Sequence, residues 1–168
     1  MTIRVAESDP PDGALLDRYR GGGGYTDCFV AVVPDRVTQT AYIEAFYTTA
    51  LFKLERLVLA LLVSRPSTDD EARRLAAGET DRFAAWTVEA READQILLCD
   101  FMGSTRSWLM SVLDTAAPSP TTRLYFGSAV VPLKGAAGLG VGFRVMVPFH
   151  RLYARALLKA AVRRLMTR

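Results

Sequence analysis

The stretch QILLCDFMGSTRSWLMSVLDTAAPSPTTRLYFGSAVV, residues 95–131, decides the fold of this chain. It reads as three strands in succession: Gln95–Met102, Thr105–Asp114 and Thr121–Val131. Each is rich in β-branched, aromatic and aliphatic residues, and each alternates between two faces. In the first, Ile96, Leu98 and Asp100 share one face, while Leu97, Cys99 and Phe101 share the other. In the second, Arg106, Trp108, Met110 and Val112 fall together; in the third, Leu124, Phe126, Ser128 and Val130 do. Gly103-Ser104 is a hairpin turn and Ala116–Pro120 a longer one. Connections this short leave no room for crossover helices, so the strands form an antiparallel meander. Apolar residues on both faces of several strands require a sheet covered, at least in part, on both sides.

Working outward, Phe83–Arg91 adds a fourth strand, with Ala84, Trp86, Val88 and Ala90 on one face and Glu92–Asp94 as its turn. Further upstream, Tyr25–Val33 reads as a strand ended by Pro34-Asp35. A long apolar helix over Val37–Ser64 follows, its apolar residues recurring at helical spacing and Lys53, Glu55 and Arg56 marking its outer face. Pro66 stops it, because the residue before a proline is pushed away from helical geometry. Ser67-Thr68 with Glu71 nearby resembles a capping box opening a short helix over Asp69–Ala76, which Gly78 ends. Downstream, Lys134–Gly142 holds four glycines and reads as a loop. A closing helix over Pro148–Met166 places Leu152, Tyr153, Ala156 and Leu157 on one face and Arg151, Arg155, Lys159 and Arg163 on another. Residues 1–24 read as a flexible leader, since Pro10-Pro11 and Gly21–Gly24 interrupt any helix; residues 25–168 form one domain. The expected class is α+β: a curved antiparallel sheet of five or more strands wrapped around a long C-terminal helix, with a pocket between them.

Composition excludes more than it assigns. Half the residues are hydrophobic, enough to fill a core and to line a cavity or an outward apolar face. The longest apolar run, Leu57–Val63, is far below the roughly 20 residues that span a bilayer. Residues 1–12 lack the apolar core of a signal peptide, so a cytoplasmic address is expected. Cys28 and Cys99 lie far apart in strands, where free cysteines behave as small buried hydrophobes; they match no zinc or redox spacing. Gly21–Gly24 precedes a strand, whereas a phosphate cradle follows one and opens a helix. The net charge of +3 is modest, and the basic stripe of the last helix has no stacking aromatics beside it, so nucleic acid is not expected. A solvated outer face is the favoured reading of that stripe, and an anionic membrane surface is the second.

The element order, together with Arg106-Ser107-Trp108-Leu109, Leu124-Tyr125-Phe126-Gly127-Ser128 and Pro148-Phe149-His150-Arg151-Leu152-Tyr153, resembles the START-like superfamily (Bet v 1, polyketide cyclase and lipid-transfer relatives). Within it the chain looks like small bacterial families whose motifs carry no agreed chemistry. The resemblance covers about residues 25–166. It implies a helix-grip architecture and a hydrophobic pocket between sheet and closing helix, with Trp86, Trp108, Phe126, Met146, Phe149 and Tyr153 as wall. The superfamily usually has six or seven strands, against about five counted here.

The candidate chemistry is sparse. His150 is the only histidine, which removes histidine-based metal clusters and leaves either a proton donor or acceptor at the pocket mouth or a partly buried ring bonded to backbone or to a nearby carboxylate. Asp100 sits among apolar neighbours, where an unpaired charge is costly, and Arg106 across the turn is its expected partner. Ser128 with Asp100 and His150 would suggest a hydrolase, but Gly127-Ser128-Ala129 lacks a nucleophile elbow. The sequence thus predicts a pocket for a small apolar ligand, lipid-like or polyketide-like. Trp86, Asp100, Trp108, Phe126, Ser128, Met146, His150 and Tyr153 are its candidate binding residues, with no catalytic residue, metal or cofactor assigned. The alternatives are an enzyme of the cyclase or hydratase type using His150 or Asp100, and a protein that pairs with its own copy or with a membrane. An enzyme requires at least two of Asp100, Ser128, His150 and Tyr153 to meet.

Overall fold

The computed structural model describes residues 3–63, 66–116, 119–132, 139 and 141–167. Among them, seven strands form one curved, unclosed antiparallel sheet. The strands are β1 (Val5–Glu7), β2 (Tyr25–Pro34), β3 (Arg82–Phe83), β4 (Trp86–Arg91), β5 (Gln95–Asp100), β6 (Thr105–Asp114) and β7 (Thr121–Val130), in spatial order β1-β2-β7-β6-β5-β4-β3. The expected meander is present from β3 to β7. The first long strand, β2, then closes against the last one along its whole length, from Tyr25 opposite Val130 to Pro34 opposite Thr121. Four helices, α1 (Gln39–Tyr47), α2 (Ala50–Val63), α3 (Asp69–Ala77) and α4 (Val141–Met166), accompany the sheet. The fold is α+β, with a long C-terminal helix and a helix-grip-like arrangement, as the sequence implied. No helix among the described residues is long and apolar enough to cross a membrane.

The concave core is aromatic. Phe46 meets Phe126 at 4.7 Å with the two rings tilted by 48°, while Tyr47, Phe52 and Phe83 close around it with ring centres 4.8 to 6.2 Å apart. Each such ring contributes about 1.5–3 kcal/mol on full burial. Three polar side chains pin α1 to the sheet: Gln39 Nε2 donates to the Leu109 carbonyl, Tyr42 Oη donates to the Tyr125 carbonyl, and Tyr47 Oη lies 3.2 Å from Ser107 Oγ. The capping box of α3 has both of its hydrogen bonds, and Gly78 ends that helix.

Several expectations are corrected. The single helix over Val37–Ser64 is two helices, because Thr48 and Thr49 turn their hydroxyls onto the backbone. Thr48 Oγ1 donates to the Glu44 carbonyl, Thr49 Oγ1 donates to that of Phe46, and Thr49 Oγ1 accepts the amide of Phe52. Threonine hydroxyls compete with the helical ladder in this way, while the apolar periodicity runs straight through. The break also resets the helical phase, so Glu55 and Arg56 leave the outer face assigned to them. Arg56 is buried, donating to Ser67 and to Asp69 at 2.7 Å.

The expected leader belongs to the sheet. β1 pairs with β2, Val5 opposite Ala31, and a short 3-10 helix, Leu15–Tyr19, covers the convex face. There Leu16 is fully buried in a second core with Cys28, Leu97, Trp108, Met110 and Tyr125. Gln95 locks this segment: its Oε1 accepts from the Leu15 amide and Trp108 Nε1, while its Nε2 donates to the Gly13 carbonyl and Glu92. Gly24 lets the chain enter β2, since a Cβ there would lie 2.4 Å from the Val130 carbonyl oxygen.

The strand expected over Phe83–Arg91 is divided by Ala84, whose φ of +51° turns the chain. A register shift then follows between Val88 and Ala90. Such an extra residue swaps the faces beyond it, so Val88 joins the concave core and Ala90 the convex one. The division of this strand and the capture of β1 raise the strand count from five to seven. The closing helix begins at Val141 and runs through Pro148 rather than starting there. The end of the helix expected to stop at Ser64, two residues of the Ala116–Pro120 turn, and most of the Lys134–Gly142 loop lie outside the described residues.

Candidate functional site

Between the concave sheet, α2 and α4 lies a cavity of about 430 Å³. Its walls are mainly apolar: Phe46, Phe52, Trp86, Phe126, Ala154 and Leu157, with Leu54 at an exposed rim. Cross-strand register explains where polarity enters. Asp27 lies opposite Ser128, Ser128 opposite Ser107, and Ser107 opposite Leu98. One row of the concave face is therefore polar over three strands. The next row, Phe29, Phe126, Leu109 and Ile96, is wholly apolar and buried.

At one end of the polar row, α4 brings His150 onto Ser128, with Nε2 and Oγ 2.7 Å apart. Ser128 Oγ donates to Asp27 Oδ1 at 2.5 Å, and the Ser128 amide donates to the same oxygen. Asp27 Oδ2 accepts from Tyr25 Oη at 3.0 Å and lies 3.4 Å from His150 Nε2. The Asp27 side chain is only 3% exposed, so these bonds must replace water around a buried carboxylate. Burial, and next the adjacent Asp27, raise the Tyr25 phenol well above its usual range. Tyr25 also meets the His150 ring edge to face at 5.9 Å.

On the opposite wall, Tyr153 Oη donates to Glu55 Oε2 at 2.5 Å. Burial lifts the Glu55 carboxyl above the ordinary glutamate range, against the opposing hydrogen bond from Tyr153. Burial, and next Glu55, raise the Tyr153 phenol in turn. The buried indole Nε1 of Trp86 has no hydrogen-bond partner. A buried N–H left unpaired costs about 1–3 kcal/mol; Trp86 lines the cavity, but the N–H itself is closed off from it.

Of the eight residues chosen from sequence, Trp86, Phe126, Ser128, His150 and Tyr153 line the cavity. Three do not. Trp108 is in the convex core, because Leu109, not Trp108, stands opposite Phe126. Asp100 is used locally: its carboxylate accepts the amides of Ser104 and Thr105 and the Ser104 hydroxyl, fastening the β5–β6 turn. Its expected partner Arg106 pairs instead with Glu89 at 2.8 Å and lies over the ring of Tyr19. Met146 is 57% exposed and stands outside the lining, as does the 72% exposed Phe149. Of the four residues from which an enzyme needs at least two together, Ser128 and His150 meet, Tyr153 pairs with Glu55, and Asp100 is elsewhere. Sequence reading missed Asp27 and Glu55. Asp27 shares strand parity with Tyr25 and Phe29, a carboxylate on an inward-facing row, and that was the available signal.

The basic stripe of α4 is partly engaged: Arg151 pairs with Glu7, and Arg155 lies over the ring of Phe29 at 5.2 Å. Both cysteines are free thiols. Burial, and next Asp27, push the Cys28 thiol up to about 12, so it is a packing residue.

Fold and site together define an α+β, helix-grip-like protein with an apolar cavity between its sheet and helices. No protein-family model, no curated protein and no solved structure matches this chain.

Proposed function

We propose that the protein is a START-like binding protein that holds one small hydrophobic molecule, lipid-like or polyketide-like, in the cavity between sheet, α2 and α4. The observation that carries this reading is the unfilled, mainly apolar cavity between sheet, α2 and α4. Its size falls in the range of about 300–1,000 Å³ that small-molecule sites occupy. Burial of the ligand's apolar surface supplies affinity at about 25 cal/mol per Å², and the polar groups at the two ends orient it. The cytoplasm is the proposed address.

The test is a titration with the hydrophobic fluorophore N-phenyl-1-naphthylamine, alongside native mass spectrometry of freshly purified protein. One probe bound per chain is expected. Ala154→Trp, which projects a large ring from a cavity-lining position, is expected to abolish binding while the fold persists by circular dichroism. Unchanged binding in that variant would place the probe elsewhere and remove the support for this reading.

A second contact, with an anionic membrane surface, is favoured by one observation. Met146, Phe149 and Leu152 are exposed on α4, a helix without a single acidic residue. Two copies meeting there would oppose basic helices, whereas anionic lipid complements them. Flotation with phosphatidylserine vesicles, lost at high salt and in Phe149→Ser, is the expected result.

A further inference from the structure

We infer that the molecule held in the cavity is an apolar amine, its protonated nitrogen donating to Glu55 Oε1 and its hydrocarbon body lying among the aromatic walls. This inference names the ligand class of the proposed binding site and rests on that binding role. It starts from the two oxygens of one carboxylate. Glu55 Oε2 accepts the phenol of Tyr153, and both side chains line the cavity. Glu55 Oε1 makes no hydrogen bond or ion pair among the described residues. Unlike the indole N–H of Trp86, this oxygen retains accessible surface. A carboxylate withdrawn from water needs a positive partner or several donors. Glu55 has one neutral donor. Burial lifts its carboxyl above the ordinary glutamate range, whereas a cation beside it would act in the opposite sense.

The positive side chains that could neutralise Glu55 are engaged elsewhere. Lys53 and Arg56, its neighbours on α2, both pair with Asp69. Arg106 borders the cavity, but its guanidinium is bonded to Glu89 and the Gly103 carbonyl and lies over the ring of Tyr19, on the convex side. His150 bonds Ser128 and stands 3.4 Å from Asp27. Asp27 itself is 3% exposed, with its oxygens taken by Ser128 and Tyr25, and is closed to a ligand.

The ligand class follows from this charge balance. A ligand bearing a carboxylate or phosphate would meet Glu55 with like charge, and a hydrocarbon would leave it unpaired. An alkylammonium supplies both the missing charge and the missing donor. The wall suits it as well, because Phe46, Phe52, Trp86 and Phe126 line the same cavity. Aromatic rings attract ammonium groups, and their apolar area covers the body of the ligand.

Three probes with one naphthalene body test this: 1-naphthylmethylamine, 1-naphthalenemethanol and 1-naphthoate. Each competes at pH 8 with N-phenyl-1-naphthylamine, whose weakly basic nitrogen is neutral there. In the wild type the amine is expected to bind about 10- to 100-fold more tightly than the alcohol, the scale of a hydrogen bond to a charged group. The carboxylate is expected to bind more weakly than the alcohol. In Glu55→Gln, whose effect on stability is small, the preference for the amine should vanish while the alcohol binds as before. An amine that binds wild type no more tightly than the alcohol would overturn the amine class and leave the binding role intact. A preference that survives in Glu55→Gln would overturn the assignment to Glu55. Failure of the fluorophore itself to bind would remove both the inference and the binding role.

Carbon-13 spectra of glutamate-labelled protein give a reading independent of affinity. The Glu55 carboxyl signal, identified by its loss in Glu55→Gln, should titrate at lower pH with the amine bound, because a nearby cation favours the ionised form. An unmoved titration at saturating amine would place the nitrogen away from Glu55 and overturn the inference.

Discussion

Trp108 on the convex face and Trp86 on the concave face carry the same indole N–H, and the two faces treat it differently. Trp108 is fully buried and donates to Gln95 at 2.9 Å, in a core that residues 13–19 seal from outside. Every polar atom of the Gln95 amide is engaged there. Trp86 is half-buried beside a cavity of about 430 Å³, and its N–H has no partner. Both faces are lined by apolar residues, so hydrophobicity does not distinguish them. What distinguishes them is whether volume is filled and polar groups are paired, the usual signs of a core on one side and a site on the other.

The largest way to break this comparison is Trp108→Ala. Loss of a fully buried indole is expected to cost about 3–5 kcal/mol in urea unfolding, with probe affinity unchanged in the protein that remains folded. Lost affinity at full folding would mean that the two faces are coupled. Gly127→Ala comes next. A Cβ there would lie 2.5 Å from Leu16 Cδ2 and 2.9 Å from the Asp27 carbonyl oxygen, so strain of about 1–3 kcal/mol is expected, again read by denaturant unfolding and again without a change in probe binding.

On the concave side the effects invert. Trp86→Phe removes a donor that nothing satisfies, so stability should stay within about 1 kcal/mol of wild type. The N–H has no exposed surface to offer a ligand, so the fluorophore should bind within about 2-fold of wild type, far less than the worth of a lost hydrogen bond. A loss of about 10-fold or more would show that the N–H does reach the ligand.

Glu55→Gln is expected to have the smallest effect and a defined pH dependence. Burial raises the folded-state carboxyl above its unfolded value, so the fold binds the proton more tightly than the unfolded chain. Stability from this group falls as pH rises from the unfolded value through the folded one, and the deficit is complete above both. The variant should therefore melt higher than wild type at neutral pH. The gap should close as pH falls below the glutamate range, about 4. A constant gap across that interval would show that Glu55 does not titrate with folding.

The strands after Gln95 were legible because alternation and turn residues are local signals, and the capping box at Thr68 was legible for the same reason. The break at Thr48-Thr49 was hidden because two hydroxyls interrupt a ladder without interrupting apolar spacing. The N-terminal segment was misread because four glycines look like a linker, whereas burial of Leu16 and the bonds of Gln95 exist only across more than seventy residues of chain. His150 and Ser128 were named from sequence and meet. Asp100 was a false choice because its own turn, four and five residues away, satisfies it.

By itself the sequence determined the α+β class, the antiparallel meander, the long closing helix and an excess of apolar residues, all of which follow from periodicity and composition within short windows. Only the tertiary structure decided which tryptophan faces the cavity, that Asp27 stands beside Ser128 and His150, and that Glu55 turns inward. Those facts depend on strand register, on one bulge and on one helix break. A shift of one residue in a strand exchanges its two faces, and no local pattern fixes that choice until the strands have paired.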